Sequence, residues 1–167
     1  MNQHLRRKLT LRAHGHQVVF VKQAHERIQH VWMKAFLWAL YLPDYPDVAV
    51  EVGVGDRYKP DVVQTDALRG RPEFWGEAGR VGAEKITDLV QRYPHTHLAI
   101  AKWDTTLTPF IETVEDAVHD GDRHAPVDLL RFAPDAADRY VDDSGRVSLT
   151  FDDVVWTRVH NAAPFSP

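Results

Sequence analysis

Three consecutive stretches decide the fold: Tyr58-Lys59-Pro60-Asp61-Val62-Val63, Pro72-Glu73-Phe74-Trp75-Gly76-Glu77-Ala78-Gly79, and Gly82-Ala83-Glu84-Lys85-Ile86. The first two read as short strands, Asp61 to Thr65 and Phe74 to Ala78, with Gly70 and Pro72 as turn signals between them. Side chains alternate along a strand, so Glu73, Trp75 and Glu77 share one face, and a hairpin with a long turn sets Glu77 across from Asp61. Val48 to Val52, set off by Gly53 and Gly55, adds a third strand and predicts an antiparallel meander. The third stretch opens a helix from Gly82 to Tyr93, with Ile86, Leu89, Val90 and Tyr93 on one face, and Pro94 stops it before the strand Leu98 to Trp103. Strand, helix and strand in that order predict a parallel crossover.

On the N-terminal side, alternation over Leu5 to Leu11 and the run Val18-Val19-Phe20-Val21 predict a hairpin turning at His14-Gly15-His16. From Ala24 to Leu42, Ile28, Val31, Trp32, Ala35, Phe36, Ala39 and Leu40 repeat at helical spacing until Pro43. On the C-terminal side the pattern predicts a helix near Thr108 to His119, a strand Val127 to Phe132, a short helix near Pro134 to Val141, and strands Val147 to Phe151 and Val154 to Val159. The fold class is therefore α/β (α+β), a mixed β-sheet flanked by helices. No repeat, low-complexity run or Gly/Ser linker interrupts residues 1–167, so one domain is expected.

With 44% apolar residues, five Trp and seven Phe, the chain can build a substantial core. It has no cysteine, so a metal would have to be held by His, carboxylate or backbone oxygen. Met1 to Lys8 is polar and basic, and the longest apolar run, Val31 to Leu42, contains Lys34 and is too short to span a bilayer; a cytoplasmic protein with no membrane segment is expected. The formal charge of −4 is unevenly spread: nine Lys/Arg against five Asp/Glu in residues 1–60, eleven against nineteen in 61–167. That balance argues against a phosphate-binding coat over the whole surface, while Arg6, Arg7, Lys8 and Arg12 form a local basic lip, either a nucleic-acid contact or a solvated strand flank.

A Pro-Asp opening one strand, a Glu on the adjoining strand and a Lys nearby resemble the PD-(D/E)XK nuclease superfamily, and the run Glu-Phe-Trp-Gly-Glu-Ala-Gly resembles its YaeQ-like branch. The resemblance covers roughly residues 16 to 103 and implies a restriction-endonuclease-like core. Asp61 looks like the motif's Asp and Glu77 like its second acid; the Lys expected two residues later is replaced by Gly79. Lys85 resembles the lysine that some members supply from the following helix, Lys102 is the second candidate, and Glu26 looks like the further acid of the first core helix. Two carboxylates converging at a strand end suit Mg²⁺ (or Mn²⁺), which orients a water and neutralises charge on a phosphodiester. The implied activity is that of a metal-dependent nuclease or phosphodiesterase acting on nucleic acid. The alternative is a nuclease fold without activity, serving as a binding or assembly module; Gly79, the acidic C-terminal half and Trp38, which falls off the main helical stripe, favour it.

Other signals are weaker. His25 and His30 are five residues apart, about 140° around a helix, which is wrong for a zincin motif needing spacing of four. His14/His16 and His95/His97 fall at a turn and a strand entry, where solvated imidazoles are expected. Trp32 and Phe36 read as core, and Trp38 as a surface for a second face or a partner. Glu112, Glu115, Asp116, Asp120 and Asp122 read as a solvated face without EF-hand spacing, and Gly53-Val54-Gly55-Asp56 lacks the rest of a nucleotide fingerprint.

Overall fold

A computed structural model describes residues 7–159, and the predicted meander lies at one side of its main sheet. Strands β3 (Ala49–Val50), β4 (Val62–Thr65) and β5 (Pro72–Ala78) pair antiparallel in turn. Helix α2 (Ala83–Arg92) then carries the chain to β6 (His97–Trp103), parallel to β5, and α3 (Thr108–His119) carries it to β7 (Val127–Phe132), parallel to β6. The short α4 (Ala136–Tyr140) precedes β8 (Val155–Val159), which returns antiparallel to β7, so the six strands lie in sequence order.

The remaining two strands, β1 (Arg7–Ala13) and β2 (His16–Lys22), form a separate antiparallel hairpin. His14 and Gly15 both have positive φ, 50° and 79°, the backbone of a tight two-residue turn whose twist matches the strands. Helix α1 (Ile28–Tyr41) is buried nearly all round because the hairpin covers one side and the sheet the other. Trp38 is part of this burial, packed edge-on against Phe20 with ring centroids 6.4 Å apart; of the two roles expected from its place off the stripe it covers a second face of the helix and is not an exposed partner surface.

Alternation along β5 divides the two cores. Phe74 and Ala78 face α1, with Leu37, Phe36 and Leu130, whereas Trp75 faces α2 and α3, with Ile86, Leu89, Leu98 and Val114. Gly76 lies on the α1 face where a Cβ would overlap Val62 Cγ2, so only glycine lets β4 and β5 pair this closely.

Several expectations are corrected. The first helix starts at Ile28 rather than Ala24, because Gln23 to Glu26 close a turn of their own: the Glu26 N–H donates to the Gln23 carbonyl and the Gln23 N–H to Glu26 Oε1. Glu26 therefore precedes the helix. No strand forms over Val147 to Phe151. Val147 makes a single bridge to Val141, and Phe151–Asp153 is a 3-10 turn capped by Thr150 and Asp153, a local solution that defeats the alternating pattern. The expected first strand begins at Leu5, but Leu5, and Arg6 of the basic lip, lie outside the described residues; Arg7, Lys8 and Arg12 are exposed on β1. Among the described residues, no helix is long and apolar enough to cross a membrane.

Candidate functional site

Asp61 and Glu77 lie at the end of the β4–β5 hairpin, near enough for the charge of Asp61 to act on Glu77. The last ladder pair there is Val62 with Gly76, and beyond it the Ala78 N–H donates to Asp61 Oδ2 at 2.8 Å. Glu77 is 4% exposed and accepts from Trp75 Nε1 at Oε1 (2.8 Å) and from Lys85 Nζ at Oε2 (3.0 Å). Burial first, and then the charge of Asp61, raise the Glu77 carboxyl above the ordinary glutamate range, against the hydrogen bonds from Trp75 and Lys85. Lys85 reaches Glu77 from the first turn of α2 and lies 4.9 Å from the centre of the Tyr58 ring. The loop carrying Tyr58 is fixed to α2 by Asp56, which accepts from Arg92 Nη1 (2.8 Å) and from the Tyr93 hydroxyl (2.5 Å).

A second set of charges meets this pair from α1. Glu26 Oε2 contacts His30 Nδ1 and Lys34 Nζ, both at 2.6 Å; Lys34 also reaches Glu51 Oε1 at 2.5 Å, and His30 Nε2 lies 3.4 Å from Asp61 Oδ1. The result is a continuous line, Glu51, Lys34, Glu26, His30, Asp61, with alternating sign. Hydrogen bonds donated to Asp61 and Glu26 raise His30 from 6.5 to about 9 against the opposing effect of burial, so the imidazole is charged at neutral pH. Burial works to raise Glu26, but His30, Lys34 and the Gln23 N–H override it and hold the carboxyl at about 2.

Gly79, where the lysine of the family pattern is missing, has φ +86°, a left-handed backbone that disfavours any side chain. Lys102 instead approaches from β6 and donates to the Gly79 carbonyl at 2.7 Å, its Nζ 4.0 Å from the centre of the Phe110 ring. Both candidate lysines thus reach this end of the sheet, Lys85 on Glu77 and Lys102 one turn of chain further on. Burial lowers Lys102 to about 8. A cleft of about 670 Å³ opens here, lined by Glu26, His30, Gly79 and Lys102 among others.

The predicted residues Asp61, Glu77 and Lys85 are brought together, and Glu26 joins them through His30. Glu73 points away and accepts from Gln64 at 2.8 Å. Sequence reasoning missed His30, Lys34 and Glu51. The available signal was Lys34 itself, 1% exposed: a lysine inside an apolar helix demands buried acids nearby. Among the described residues no group of three or more His, Cys, Asp or Glu forms a metal cage. The donors of Asp61 and Glu77 are nonetheless hard oxygens with spare lone pairs, the set that suits Mg²⁺ or Mn²⁺ when water or substrate fills the remaining positions.

A second polar centre occupies the opposite end of the sheet. Asp128, fully buried, accepts from the Tyr41 hydroxyl (2.6 Å) and from Arg158 Nε (2.7 Å) and meets His97 Nε2 at 2.6 Å. His97 is therefore buried and bonded, not solvated as its place at a strand entry suggests. Burial alone would raise Asp128, but His97 and Arg158 hold it below the usual range. This cluster pins α1 and β8 to the sheet.

Against solved structures, the chain aligns with the YaeQ protein of Pseudomonas syringae at TM-score 0.59, 14% identity, covering 96% of this chain and 95% of that one. The fold is the YaeQ fold. A second YaeQ protein, from Xanthomonas axonopodis pv. citri, aligns at TM-score 0.51 and 14% identity over 95% of this chain and 97% of that one. At this identity the likeness is one of architecture, and it reaches beyond the central strands to about 95% of the chain. No family model matches the sequence, and no curated protein does.

Proposed function

We propose that Asp61 and Glu77 form a divalent-cation site and that the protein is a metal-dependent nuclease or phosphodiesterase of PD-(D/E)XK type. The observation that carries the reading is the Asp61–Glu77–Lys85 constellation: two acids at the end of paired strands, one raised by burial and then by the charge of the other, with an ammonium 3.0 Å from the buried one. A bound Mg²⁺ or Mn²⁺ would supply a water of lowered pKa and neutralise charge on the phosphodiester. Asp61 and Glu77 would hold it. Lys85, anchored by α2 and supported by Tyr58, would hand its hydrogen bond from Glu77 to the attacking water or the scissile phosphate. Glu26 acts through His30, fixing the ring that faces Asp61. No Ser or Cys nucleophile is needed for this chemistry.

A specific observation favours a second reading, a nuclease fold acting as a binding or assembly module: the oxygens of both acids already have partners within the chain, Trp75 and Lys85 on Glu77, the Ala78 N–H and His30 on Asp61. The deciding experiment incubates the protein with single- and double-stranded DNA and RNA in Mg²⁺ and in Mn²⁺. Cleavage that falls to background in both Asp61→Asn and Glu77→Gln supports the nuclease reading. A wild type inert on every substrate in both metals, or cleavage that survives both substitutions, refutes it.

A further inference from the structure

The cleft beside Lys102 carries chemistry that the acid pair does not use. Nearly every other arginine with a described polar contact is paired with an acid or a carbonyl: Arg57 and Arg92 with Asp88, Arg131 with Asp104, Arg158 with Asp128. Arg27 and Arg80 line the cleft, are exposed, and have no acid partner among the described residues. Lys102, 6% exposed on the same wall, has only the Gly79 carbonyl and the Phe110 ring as partners among the described residues. The single acid in the lining, Glu26, is already neutralised by Lys34 and His30.

Three further features point the same way. Helix α1, fourteen residues long, begins at the cleft with Arg27 as its N-cap, no side-chain cap and no acid in its first turn, so its free N–H groups and dipole add positive potential. Trp103 and Phe110 supply flat apolar walls. A volume of about 670 Å³ falls within the range of small-molecule sites and holds one nucleotide-sized body, not a duplex.

We infer that this cleft binds a phosphomonoester with a flat body, that is, a mononucleotide or the phosphorylated end of a single strand. The phosphate lies among Arg27, Arg80 and Lys102 at the start of α1, and the base lies against Trp103 and Phe110. Binding needs neither a metal nor a reaction, so it stands or falls apart from the nuclease reading.

The test is titration of AMP, adenosine and inorganic phosphate into the full chain in EDTA, followed by NMR or calorimetry. Saturable AMP binding is expected, at least about tenfold tighter than that of adenosine or of phosphate alone, from the loss of charge-assisted hydrogen bonds in one case and of the stacked base in the other. Arg27→Gln and Arg80→Gln, both at exposed positions, are each expected to weaken AMP at least about tenfold, and Lys102→Met similarly. Arg69→Gln, at an exposed position outside the cleft lining, is expected to leave the affinity unchanged. No AMP binding, equal affinity for adenosine or for phosphate, or binding indifferent to both arginine substitutions would overturn the inference. So would loss of binding in Arg69→Gln.

Discussion

The charged line through His30 makes a quantitative prediction about pH. His30→Gln keeps the size and one donor of the ring but removes its charge. In the folded protein the imidazole is raised from 6.5 to about 9 by Asp61 and Glu26. A group whose folded pKa is raised stabilises fully below its unfolded value, here 6.5, and that contribution is lost as the pH climbs through about 9. At about 1.36 kcal/mol per pH unit the shift sets a ceiling near 3 kcal/mol, and because the side chain is 33% exposed, screening by solvent reduces it to about 1–2 kcal/mol. Urea denaturation of wild type and His30→Gln at pH 6 and pH 10 measures it. The stability gap should be larger at pH 6 by about 1–2 kcal/mol, while the pH-independent cost of lost packing cancels between the two conditions. A gap that is constant with pH, or that widens at pH 10, would refute the assignment of a charged His30 between the two acids.

Other variants probe the site and its frame. Glu77 is raised in the folded protein, so its ionised form costs stability at neutral pH and the cost vanishes as the pH falls below the ordinary glutamate range; Glu77→Gln should be as stable as wild type or more stable by up to about 1 kcal/mol at pH 7 in thermal melts, the gap closing towards pH 4. Asp128→Ala strands Tyr41, His97 and Arg158 at a fully buried position and should cost about 3–5 kcal/mol by chemical denaturation. Gly76→Ala drives a methyl into Val62 and should cost about 1–3 kcal/mol, visible as a lowered midpoint in the same assay.

Where local pattern and tertiary packing agree, the fold is legible from sequence. Helix α3 and strand β7 have the predicted limits, and the crossover from β5 through α2 to β6 follows from Gly82, the amphipathic face of α2 and Pro94. Misreadings occur where local hydrogen bonds compete with periodicity: Thr150 and Asp153 close a capped turn that ends the strand pattern after Val147, and Gln23 with Glu26 delays the first helix. For Trp38 the sequence leaves a second face or a partner open, because a helix buried on two sides has no polar face against which to measure a stripe; the hairpin supplies the second face. Of the site, Asp61, Glu77 and Lys85 are legible because strand pairing and the first turn of a helix are short-range. His30, Lys34 and Glu51 are not: Glu26 stands only four residues before His30, but Asp61 and Glu51 reach His30 and Lys34 across tertiary contacts that no spacing encodes, and the polar centre at Asp128 joins residues as far apart as Tyr41 and Arg158.

The claim that Asp61 and Glu77 hold a divalent cation is tested most directly by calorimetric titration of Mn²⁺ and Mg²⁺ into wild type, Asp61→Asn and Glu77→Gln, with folding of each variant checked by circular dichroism. The account predicts saturable binding to the wild type with one ion per chain, abolished in both variants while their folds remain intact. Binding of equal strength in all three proteins would contradict it.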